Sequence, residues 1–450
     1  MSCEVASVNF RSLLVETKDG EWGKEALFDE SVEMSVIRGT DFDAVRSSSL
    51  TGVPRRFIAK KSALRKTLRP FDILIETAGG SKGRPTGKTV LLRPNLFNAS
   101  DLPITCASFA RYLRVDPSRA NPEYIYWYLQ HLYGNGVIES HQVQHTGIAR
   151  FQFTKFADSV EVPIPPLAYQ NELASLLAAL DDRIALLRET NATLEAIAQA
   201  LFKSWFVDFD PVHAKRQGIA PTGMDDAAAA LFPDGFEEAE LGMVPRGWQK
   251  RTMADVSIVG IGKTPPRKEQ HWFSEDPSDI RWVSIRDMGA VGVYAAQTSE
   301  FLTKDAVERF NVRRVPDNTT LMSFKMTIGR VAISDGEMTT NEAIAHFRLT
   351  ANSELTTEYI YLHLKQFDFS TLSSTSSIAD AVNSKTVREI PILVPTSEVL
   401  TAFQSQVGAL FARLRNAERH ARTLQTLRDT MLPRLISGQL RIPDAEAFIQ

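Results

Sequence analysis

A long heptad repeat constrains this chain more than any other feature. Apolar residues recur at alternating spacings of four and three over more than four heptads, which is typical of a coiled-coil helix. The positions are Leu173, Leu177, Leu180, Ile184, Leu187, Asn191, Leu194, Ala198, Leu201 and Trp205. Asn191 is the polar member, and a buried amide at such a position fixes register at a cost in stability. Prolines at 163, 165, 166 and 211 bracket this helix, whose seam is about 50 Å long at 1.5 Å per residue.

The same repeat returns 230 residues later. Its positions are Phe403, Val407, Leu410, Leu414, Ala417, Ala421, Leu424, Arg428, Met431 and Leu435. The net charge is −3 between Asn171 and Leu201 and +4 between Phe403 and Arg434. Opposite charge favours pairing of the two helices with each other, so we predict an interface formed by their seams. The alternative is that each helix packs only on its neighbouring domain. Arg428 lies in the second seam and predicts that the last turns leave the pair.

The sequences beside the helices are also repeated. Glu123–Tyr126 returns as Glu358–Tyr361, and Ile148-Ala149 returns as Ile378-Ala379. The order is therefore domain, helix, domain, helix, a tandem duplication of about 230 residues. The predicted segments are a first domain at 1–162, a central spacer helix at 163–208, an acidic linker without core residues at 209–244, a second domain at 245–392, a distal spacer helix at 393–438 and a tail at 439–450.

The centre of the first domain is strongly basic. From Arg55 to Arg93 there are eleven bases and two acids, a net charge of +9 in a chain whose total is −3. Within this stretch, Gly79–Lys88 is predicted as a flexible loop between strands, which suits phosphate contacts. The predicted nucleic-acid contacts are Arg55, Arg56, Lys60, Lys61, Lys82, Arg84 and Lys88, and in the second domain Lys263, Arg267, Lys268, Arg286, Lys325 and Arg330. The alternative is a solvated basic face without a ligand.

Motifs for catalysis are incomplete. Gly262-Lys263-Thr264 resembles the end of a phosphate-binding loop, but its first glycine is missing and prolines follow it. His141 and His145 are spaced to share a helix face, yet their polar neighbours favour a recognition segment over a metal site. The two cysteines, Cys3 and Cys106, form no disulfide framework, which fits a reducing cytoplasm. We also expect neither a membrane span nor a signal peptide, because long apolar runs are absent.

Several phrases, taken together, resemble one known family. They are Trp205–Pro211, Phe236–Glu238, Leu241–Pro245, Gly247-Trp248, Gly262–Pro265, Trp282–Met288 and Leu432–Gly438. In combination they resemble the specificity (S) subunit of type I restriction–modification systems, over essentially the whole chain. The resemblance implies an α+β protein with two duplicated mixed α/β target recognition domains, separated by two long helices that form an antiparallel coiled coil.

The resemblance also implies a function. Each domain would read half of a split double-stranded DNA target, and the helices would set the gap. Two modification subunits, carrying S-adenosylmethionine and adenine methylation chemistry, would dock on the helices. Two restriction subunits, which use ATP and Mg, would complete the complex. The chain itself would be non-catalytic and hold no cofactor. The alternatives are a scaffold that binds no DNA, disfavoured by the +9 stretch, and an enzyme, disfavoured by the incomplete motifs.

Overall fold

The chain divides into two compact units. The computed structural model describes residues 6–79, 85–145, 148–239, 242–372 and 382–448. The first unit comprises Met1–Leu186 and Arg422–Gln450, and the second comprises Leu187–Ala421. Two helices of 40 residues cross this division, the central helix (Leu167–Phe206) and the distal helix (Ser397–Ile436). Each unit therefore holds one domain and one part of each helix. No helix in the described ranges is long and apolar enough to cross a membrane.

The domain of the first unit (domain 1) is built mainly from short strands. They are β1 (Ser7–Asn9), β2 (Leu14–Asp19), β3 (Ser31–Ile37), β4 (Arg55–Ala59), β5 (Ile73–Glu76), β6 (Ala78–Gly79), β7 (Thr89–Leu91), β8 (Ile104–Cys106), β9 (Ala110–Val115), β10 (Gln142–His145), β11 (Ile148–Phe151) and β12 (Glu161–Pro163). The α-helices are Phe42–Arg46, Lys60–Lys66, Pro94–Asn98, Pro122–Gly134 and Phe153–Ser159, and the 3₁₀ segments are Phe10–Leu13, Gly39–Asp41 and Glu139–His141. Asn121 caps the longest of these helices, because its side chain accepts hydrogen bonds from the backbone N–H groups of Glu123 and Tyr124.

These strands form small sheets with more than one hydrophobic cluster between them and the helices. An antiparallel sheet has the order β2–β9–β5–β7, and Ile73, Leu74 and Ile75 of β5 are fully buried because both faces of this strand are covered. A second sheet, β4–β3–β8, contains one parallel pair, β3 with β8. The hairpin β10–β11 adds β6 to its edge, and β1 pairs with β12. The tail helix Ile442–Glu446 also belongs to this unit.

The domain of the second unit (domain 2) repeats this plan. Its strands are β13 (Phe236–Ala239), β14 (Gly242–Pro245), β15 (Gln249–Thr252), β16 (Ile258–Ile261), β17 (Phe273–Ser274), β18 (Ile280–Val283), β19 (Tyr294–Ala295), β20 (Glu300–Leu302), β21 (Thr320–Ser323), β22 (Val331–Ser334), β23 (Thr339–Thr340), β24 (Ile344–Arg348) and β25 (Pro391–Val394). The α-helices are Asp210–Arg216, Asp226–Ala230, Met253–Val256, Ile285–Met288, Lys304–Arg309, Thr357–Gln366 and Ser384–Arg388, and the 3₁₀ segments are Gln270–Trp272 and Phe369–Leu372. The sheets are β16–β24–β21–β22–β19, β17–β20–β18–β23, β15–β25 and β13–β14.

The register of the strands confirms the duplication. In domain 1, β9 lies between β2 and β5, and in domain 2, β24 lies between β16 and β21. Ile73 pairs with Leu113 on β9, as Thr320 pairs with Phe347 on β24. The repeated Glu-Tyr-Ile-Tyr phrase begins a helix in each domain. Its first tyrosine donates a hydrogen bond of 2.8 Å to a strand carbonyl, from Tyr124 to Pro163 and from Tyr359 to Leu393.

The long helices run antiparallel in both units. In the first unit, the start of the central helix meets the end of the distal helix, where the Tyr169 hydroxyl donates to the Leu435 carbonyl at 2.9 Å. In the second unit, the end of the central helix meets the start of the distal helix. The rings of Phe206 and Phe403 there are 4.8 Å apart. The predicted pairing of the helices is therefore confirmed within each unit.

The prediction that Arg428 ends the pairing is wrong. The distal helix continues to Ile436, and Leu435 is fully buried. Arg428 stays in the seam because its guanidinium forms an ion pair with Asp181 of the central helix, and both side chains are only 9% exposed. Asp181 also pairs with Arg46 of domain 1 at 2.7 Å. The guanidinium of Arg428 additionally lies 5.9 Å from the Trp127 ring centroid. A charged residue is thus accommodated by paired charges and an aromatic face.

The predicted interface residues of the two seams are largely buried. Three are only partly buried, namely Leu187, Leu201 and Leu410. The others are buried, namely Leu173, Leu177, Leu180, Ile184, Asn191, Leu194, Trp205, Val407, Leu414, Leu424 and Met431. Asn191 is buried as expected, and among the described residues its Oδ1 has no hydrogen-bond partner. Phe202, outside the heptad positions, is also buried, because it faces Tyr359 of domain 2 at a ring distance of 5.0 Å.

The segment predicted as a linker without core residues packs into the second unit. Val212 and Phe232 are buried in its main hydrophobic core. The Phe232 ring lies 5.1 Å from the ring of Trp205, at the end of the central helix. These apolar side chains cover the aromatic end of the helix, which acidic composition alone did not reveal. The chain turns between the central helix and the helix Asp210–Arg216, where Asp210 Oδ2 accepts a 2.7 Å hydrogen bond from Ser204 Oγ.

Candidate nucleic-acid interface

The predicted basic residues of domain 1 begin on β4 and on the helix Lys60–Lys66. Lys60 and Lys61 are exposed at the start of this helix. Arg55 is also exposed, and its Nη2 lies 3.1 Å from Asp101 Oδ2. An exposed ion pair of this kind contributes little to stability and is readily exchanged for another anion. These three side chains are therefore available to a phosphate backbone.

Arg56 has a different environment from its neighbours. Its side chain is 14% exposed, and its Nη1 lies 2.7 Å from Glu25 Oε1. The guanidinium is stacked 4.3 Å from the centroid of the Trp22 ring. Because these contacts hold Arg56 against its own domain, its predicted phosphate contact has the least support of this group.

The predicted basic loop lies only partly in the described residues. Lys82 and Arg84 fall outside them. Lys88 is half-buried just before β7, where its carbonyl accepts a 2.9 Å hydrogen bond from the Glu76 N–H. The loop therefore starts and ends on the central sheet of domain 1, because β5 and β7 are paired in that sheet.

A cleft beside the base of this loop was not predicted. Its volume is about 700 Å³, and it is lined by Phe109, Arg111, Arg150 and Lys155 among others. Phe109 is 62% exposed at the turn between β8 and β9, and its carbonyl accepts the Thr77 N–H at 2.8 Å. Arg150 and Lys155 of this cleft are exposed, whereas Arg111 is paired with Asp19 of the same cleft at 2.7 Å. No spacing rule identifies one exposed phenylalanine, so the sequence offered no signal for it.

The two histidines near this cleft do not share a helix face. His141 ends the 3₁₀ segment Glu139–His141, and its Nε2 lies 3.1 Å from Ser159 Oγ. His145 ends β10, one strand of the β10–β11 hairpin. Among the described residues, no group of three or more potential ligands could hold a metal ion. β10 is the outer strand of the sheet β10–β11–β6, and its role as a recognition segment stays a prediction.

In domain 2, two of the predicted contacts are engaged internally. Arg267 forms a two-pronged ion pair with Glu300, at 2.7 and 2.9 Å, and stacks 4.2 Å from the Phe273 ring centroid. Arg330 Nη1 donates to the Ile285 carbonyl at 2.7 Å. Both guanidinium groups therefore have a structural role in this domain.

The Arg267 side chain is itself 44% exposed, and the four remaining predicted contacts of domain 2 are exposed as well. They are Lys263, Lys268, Arg286 and Lys325. Lys325 lies in the loop between β21 and β22, the equivalent of the basic loop in domain 1. Its neighbour Met326 is 84% exposed and has a positive φ of 61°, so the tip of this loop projects an apolar side chain. The structure does not gather these four side chains into one cluster, and sequence alone did not separate them from Arg267 and Arg330.

These features define a class of protein. Two copies of one mixed α/β domain each carry exposed basic residues and a loop between central strands, and each is joined to part of an antiparallel helix pair.

Known proteins share this organisation. The model of the type I restriction modification DNA specificity domain matches residues 72–196 and 245–425, more than half of the chain. The chain is 28% identical over 324 residues to the HindI type I restriction enzyme specificity subunit of Haemophilus influenzae, covering 63% of this chain and 69% of that subunit. It is 24% identical over 297 residues to the MjaIX specificity subunit of Methanocaldococcus jannaschii, covering 63% of this chain and 62% of that subunit.

A solved structure supports the fold. The type I restriction-modification S subunit from M. genitalium aligns with a TM-score of 0.52 at 16% identity, over 96% of this chain and 95% of that chain. The chain belongs to the family of type I restriction–modification DNA specificity subunits, the non-catalytic components that recognise DNA. The expected family is therefore confirmed, and the alternatives of an enzyme or a scaffold without DNA are set aside.

Proposed function

We propose that this chain reads a DNA target in two separated parts, one part with each domain. The observation that carries the proposal is the duplication, because each unit holds a complete copy of the domain with its own central sheet and loop. Two copies of one reading domain suit two half-sites on one duplex. The paired helices present few groups that could distinguish bases, so their role is to set the gap between the half-sites.

We expect two kinds of contact with DNA, one with phosphates and one with base edges. The exposed cations Lys60, Lys61, Lys263 and Lys325 would contact phosphates, which supply affinity without sequence information. The β10–β11 hairpin, with the exposed side chain of Gln144, would reach base edges, whereas the Gln142 oxygen accepts a hydrogen bond from the Thr86 N–H. A glutamine side chain can both donate and accept, as the edge of adenine requires.

The partners are proposed from the family and from the helix surface. Two modification subunits would dock on the long helices and supply S-adenosylmethionine and adenine methylation, with the target base flipped into their pocket. Two restriction subunits would supply ATP-driven cleavage with Mg. The central helix has exposed apolar side chains outside its seam, at Leu186 in the first unit and Ile197 in the second. Because single exposed apolar side chains are common on protein surfaces, the family carries the proposed docking more than these two residues do.

The test is methylation-site sequencing with the modification partner present. Exchanging residues 1–162 for the corresponding domain of a relative should change one half of the target and leave the other half and the gap intact. Deleting one heptad from both helices should alter the gap or prevent assembly, with both half-sites unchanged. A domain exchange that altered both half-sites would show that the domains read DNA through a shared surface, contrary to the proposal.

A further inference from the structure

Domain 2 contains a cationic cleft that the proposed function does not use. Its volume is about 350 Å³. Its lining includes Gly260 on β16, His346 and Arg348 on β24, and Arg313, Arg314 and Thr319 from the segment before β21. The cleft lies entirely within the second unit.

Two guanidinium groups in this cleft lack an acidic partner. Arg314 is neutralised by Glu337, with Nη1 2.6 Å from Oε1. Arg313 and Arg348 are exposed, and among the residues that the structure describes no carboxylate forms an ion pair with either. The nearby Asp317 pairs with Arg415 instead. The cleft therefore carries an excess of positive charge.

His346 forms an uncharged part of the cleft lining. It is 4% exposed, and its Nε2 lies 2.6 Å from Thr340 Oγ1. Burial, with a contribution from the nearby Arg313, lowers the pKa of His346 to about 3, so the ring is uncharged at neutral pH. The positive charge of the cleft thus comes from arginines, which do not titrate in the physiological range.

Glycine at position 260 keeps the cleft open. A Cβ atom there would lie 3.1 Å from His346 Nδ1 and 3.3 Å from Arg313 Nη1. These distances are tight for a methyl group, so a side chain at this position would press on the guanidinium of Arg313. The small residue leaves room beside the arginines for another group.

In domain 1, acidic side chains surround the arginine that is equivalent to Arg348. The strand pairings align Arg114 with Arg348, because Leu113 and Phe347 occupy matching positions on β9 and β24. Arg114 is neutralised by Asp72, at 2.7 Å, and by Glu16. By the same register, Thr319 replaces Asp72 and Ile258 replaces Glu16. Duplication therefore kept the arginine in both domains, while domain 2 lacks both carboxylates that neutralise it in domain 1.

We propose that this cleft is an oxyanion site for a phosphate group, bound by Arg313 and Arg348. Planar guanidinium forks match the oxygen geometry of phosphate and form charge-assisted hydrogen bonds with it. The phosphate belongs either to a nucleic-acid backbone or to a free phosphate compound. Only assignment to the DNA backbone rests on the function proposed above.

The first arm of the test measures binding of inorganic phosphate to the full-length chain at low ionic strength by calorimetry. Ile258 is 46% exposed and lies opposite Arg348 on the paired strand. Ile258→Glu would therefore install the carboxylate of domain 1 while keeping both arginines, and Ile258→Gln is its uncharged control. We expect saturable binding in the wild type and Ile258→Gln, and at least about a tenfold weaker affinity in Ile258→Glu and in Arg313→Gln/Arg348→Gln. Equal affinity in Ile258→Glu and Ile258→Gln, or no saturable binding in the wild type, would overturn the proposal.

The second arm identifies the source of the phosphate. The affinity of the complex with its modification partner for its DNA target is measured as a function of salt. A slope lower by about 0.9 in Ile258→Glu than in Ile258→Gln assigns one backbone phosphate to the site. An unchanged slope together with weakened phosphate binding assigns a free phosphate compound. Failure of the wild-type complex to bind DNA would contradict the proposed function, while the phosphate titration would still report on the cleft.

Discussion

Domains 1 and 2 place different titratable residues at two equivalent buried positions. Tyr128 and His363 occupy the same turn of the repeated helix. The Tyr128 hydroxyl donates to the Glu161 carbonyl at 2.9 Å, and His363 Nε2–H donates to the Pro391 carbonyl at the same distance. These carbonyls belong to the equivalent strands β12 and β25. The second position holds Tyr112 in domain 1 and His346 in domain 2.

This exchange makes domain 2 more sensitive to acid than domain 1. Burial raises the pKa of Tyr112 to about 12 and also raises the pKa of Tyr128, so both remain neutral in acid. Burial lowers the pKa of His363 to about 4, despite its hydrogen bond to Pro391. The pKa of His346 is lowered to about 3. The scaffold is thus shared, but its sensitivity to pH is set by single residues.

The two units also place the acid that pairs with the distal helix on different elements. In the first unit, the acid Asp181 is on the central helix and pairs with Arg428 of the distal helix and Arg46 of the domain. In the second unit, the acid is Asp335 of the domain, and the cations are Arg415 and Arg419 of the distal helix, at 2.8 and 2.6 Å. Each part of the distal helix therefore forms its ion pairs with acids of its own unit.

The largest predicted effect is loss of stability of domain 2 in mild acid. A histidine whose folded pKa is depressed contributes stability above its unfolded value of about 6.5, and that contribution falls as the pH decreases towards the folded pKa. For His363 and His346 the window runs from about pH 6.5 down to about 4 and 3 respectively. Between pH 7 and pH 5 each should lose about 2 kcal/mol. Hydrogen exchange should show this in the helix Thr357–Gln366, with a smaller loss in Pro122–Gly134, where burial also lowers the pKa of half-buried His131.

Exchanging His363 and Tyr128 between the domains tests whether these residues cause the difference in acid sensitivity. His363→Tyr should remove about 2 kcal/mol of the acid-induced loss from domain 2. Tyr128→His should introduce a similar loss into domain 1. The readout is the difference in opening free energy between pH 7 and pH 5 for each helix. An unchanged difference in His363→Tyr would exclude His363 as a source of the acid sensitivity.

The next largest effect concerns Arg428. Replacing it with alanine would leave Asp181 buried with only Arg46 as its partner, and such a loss typically costs about 3 kcal/mol. Denaturant unfolding of the full chain would measure this cost. Replacing Arg428 and Asp181 together with leucine, in a chain that also carries Arg46→Met, should recover most of the stability, because neither a carboxylate nor the guanidinium that pairs with it would then be left without a partner. The control is Arg434→Ala at an exposed position on the same helix, with an expected change of less than about 0.5 kcal/mol. If this combined variant lost as much unfolding free energy as Arg428→Ala, the ion pair would not explain the stabilisation.

A smaller effect is expected at Asp335. Although burial alone would raise its pKa, hydrogen bonds from Arg419 and Arg415 lower the pKa to about 2. A carboxylate with a depressed pKa contributes stability above its unfolded pKa of about 3.9 and loses it as the pH falls through the folded value. Asp335→Asn should therefore cost about 2 kcal/mol at pH 7. The difference between wild type and variant should shrink between pH 4 and pH 2. A difference that stayed constant over this range would exclude the charge as its cause.

The sequence predicted the helices well because their period depends only on local spacing. The central helix was predicted at 163–208 and spans Leu167–Phe206, and the heptad phase identified most of its buried face. The partners of polar residues could not be predicted in this way. Arg428 violates the apolar pattern. Asp429, one of the acids that neutralise it, is its neighbour in sequence, but Asp181 and Trp127 lie far away in the chain.

The candidate interface was predicted less completely than the fold. Net charge identified the basic stretch but could not separate exposed Lys60 from Arg56, which stacks on Trp22. Nor could it identify Phe109, whose exposure is set by the turn between β8 and β9. Charge density in a sequence reports composition, whereas a binding surface depends on which side chains the fold leaves in solvent.

The smallest predicted effect tests whether both domains contact the DNA backbone to the same extent. Lys60 and Lys61 are exposed in domain 1, and Lys325 is exposed on the loop of domain 2. Each phosphate contact contributes up to about 0.9 to the salt dependence of binding. Lys60→Gln/Lys61→Gln should therefore lower the slope by up to about 1.8, and Lys325→Gln by up to about 0.9. Arg56→Gln serves as the matched control in domain 1, since its guanidinium is held by Glu25 and Trp22. It should leave the slope unchanged and lower the thermal stability of domain 1. A lower slope in Arg56→Gln would mean that DNA displaces these internal contacts, and an unchanged slope in the lysine variants would mean that the basic stretch is a solvated face.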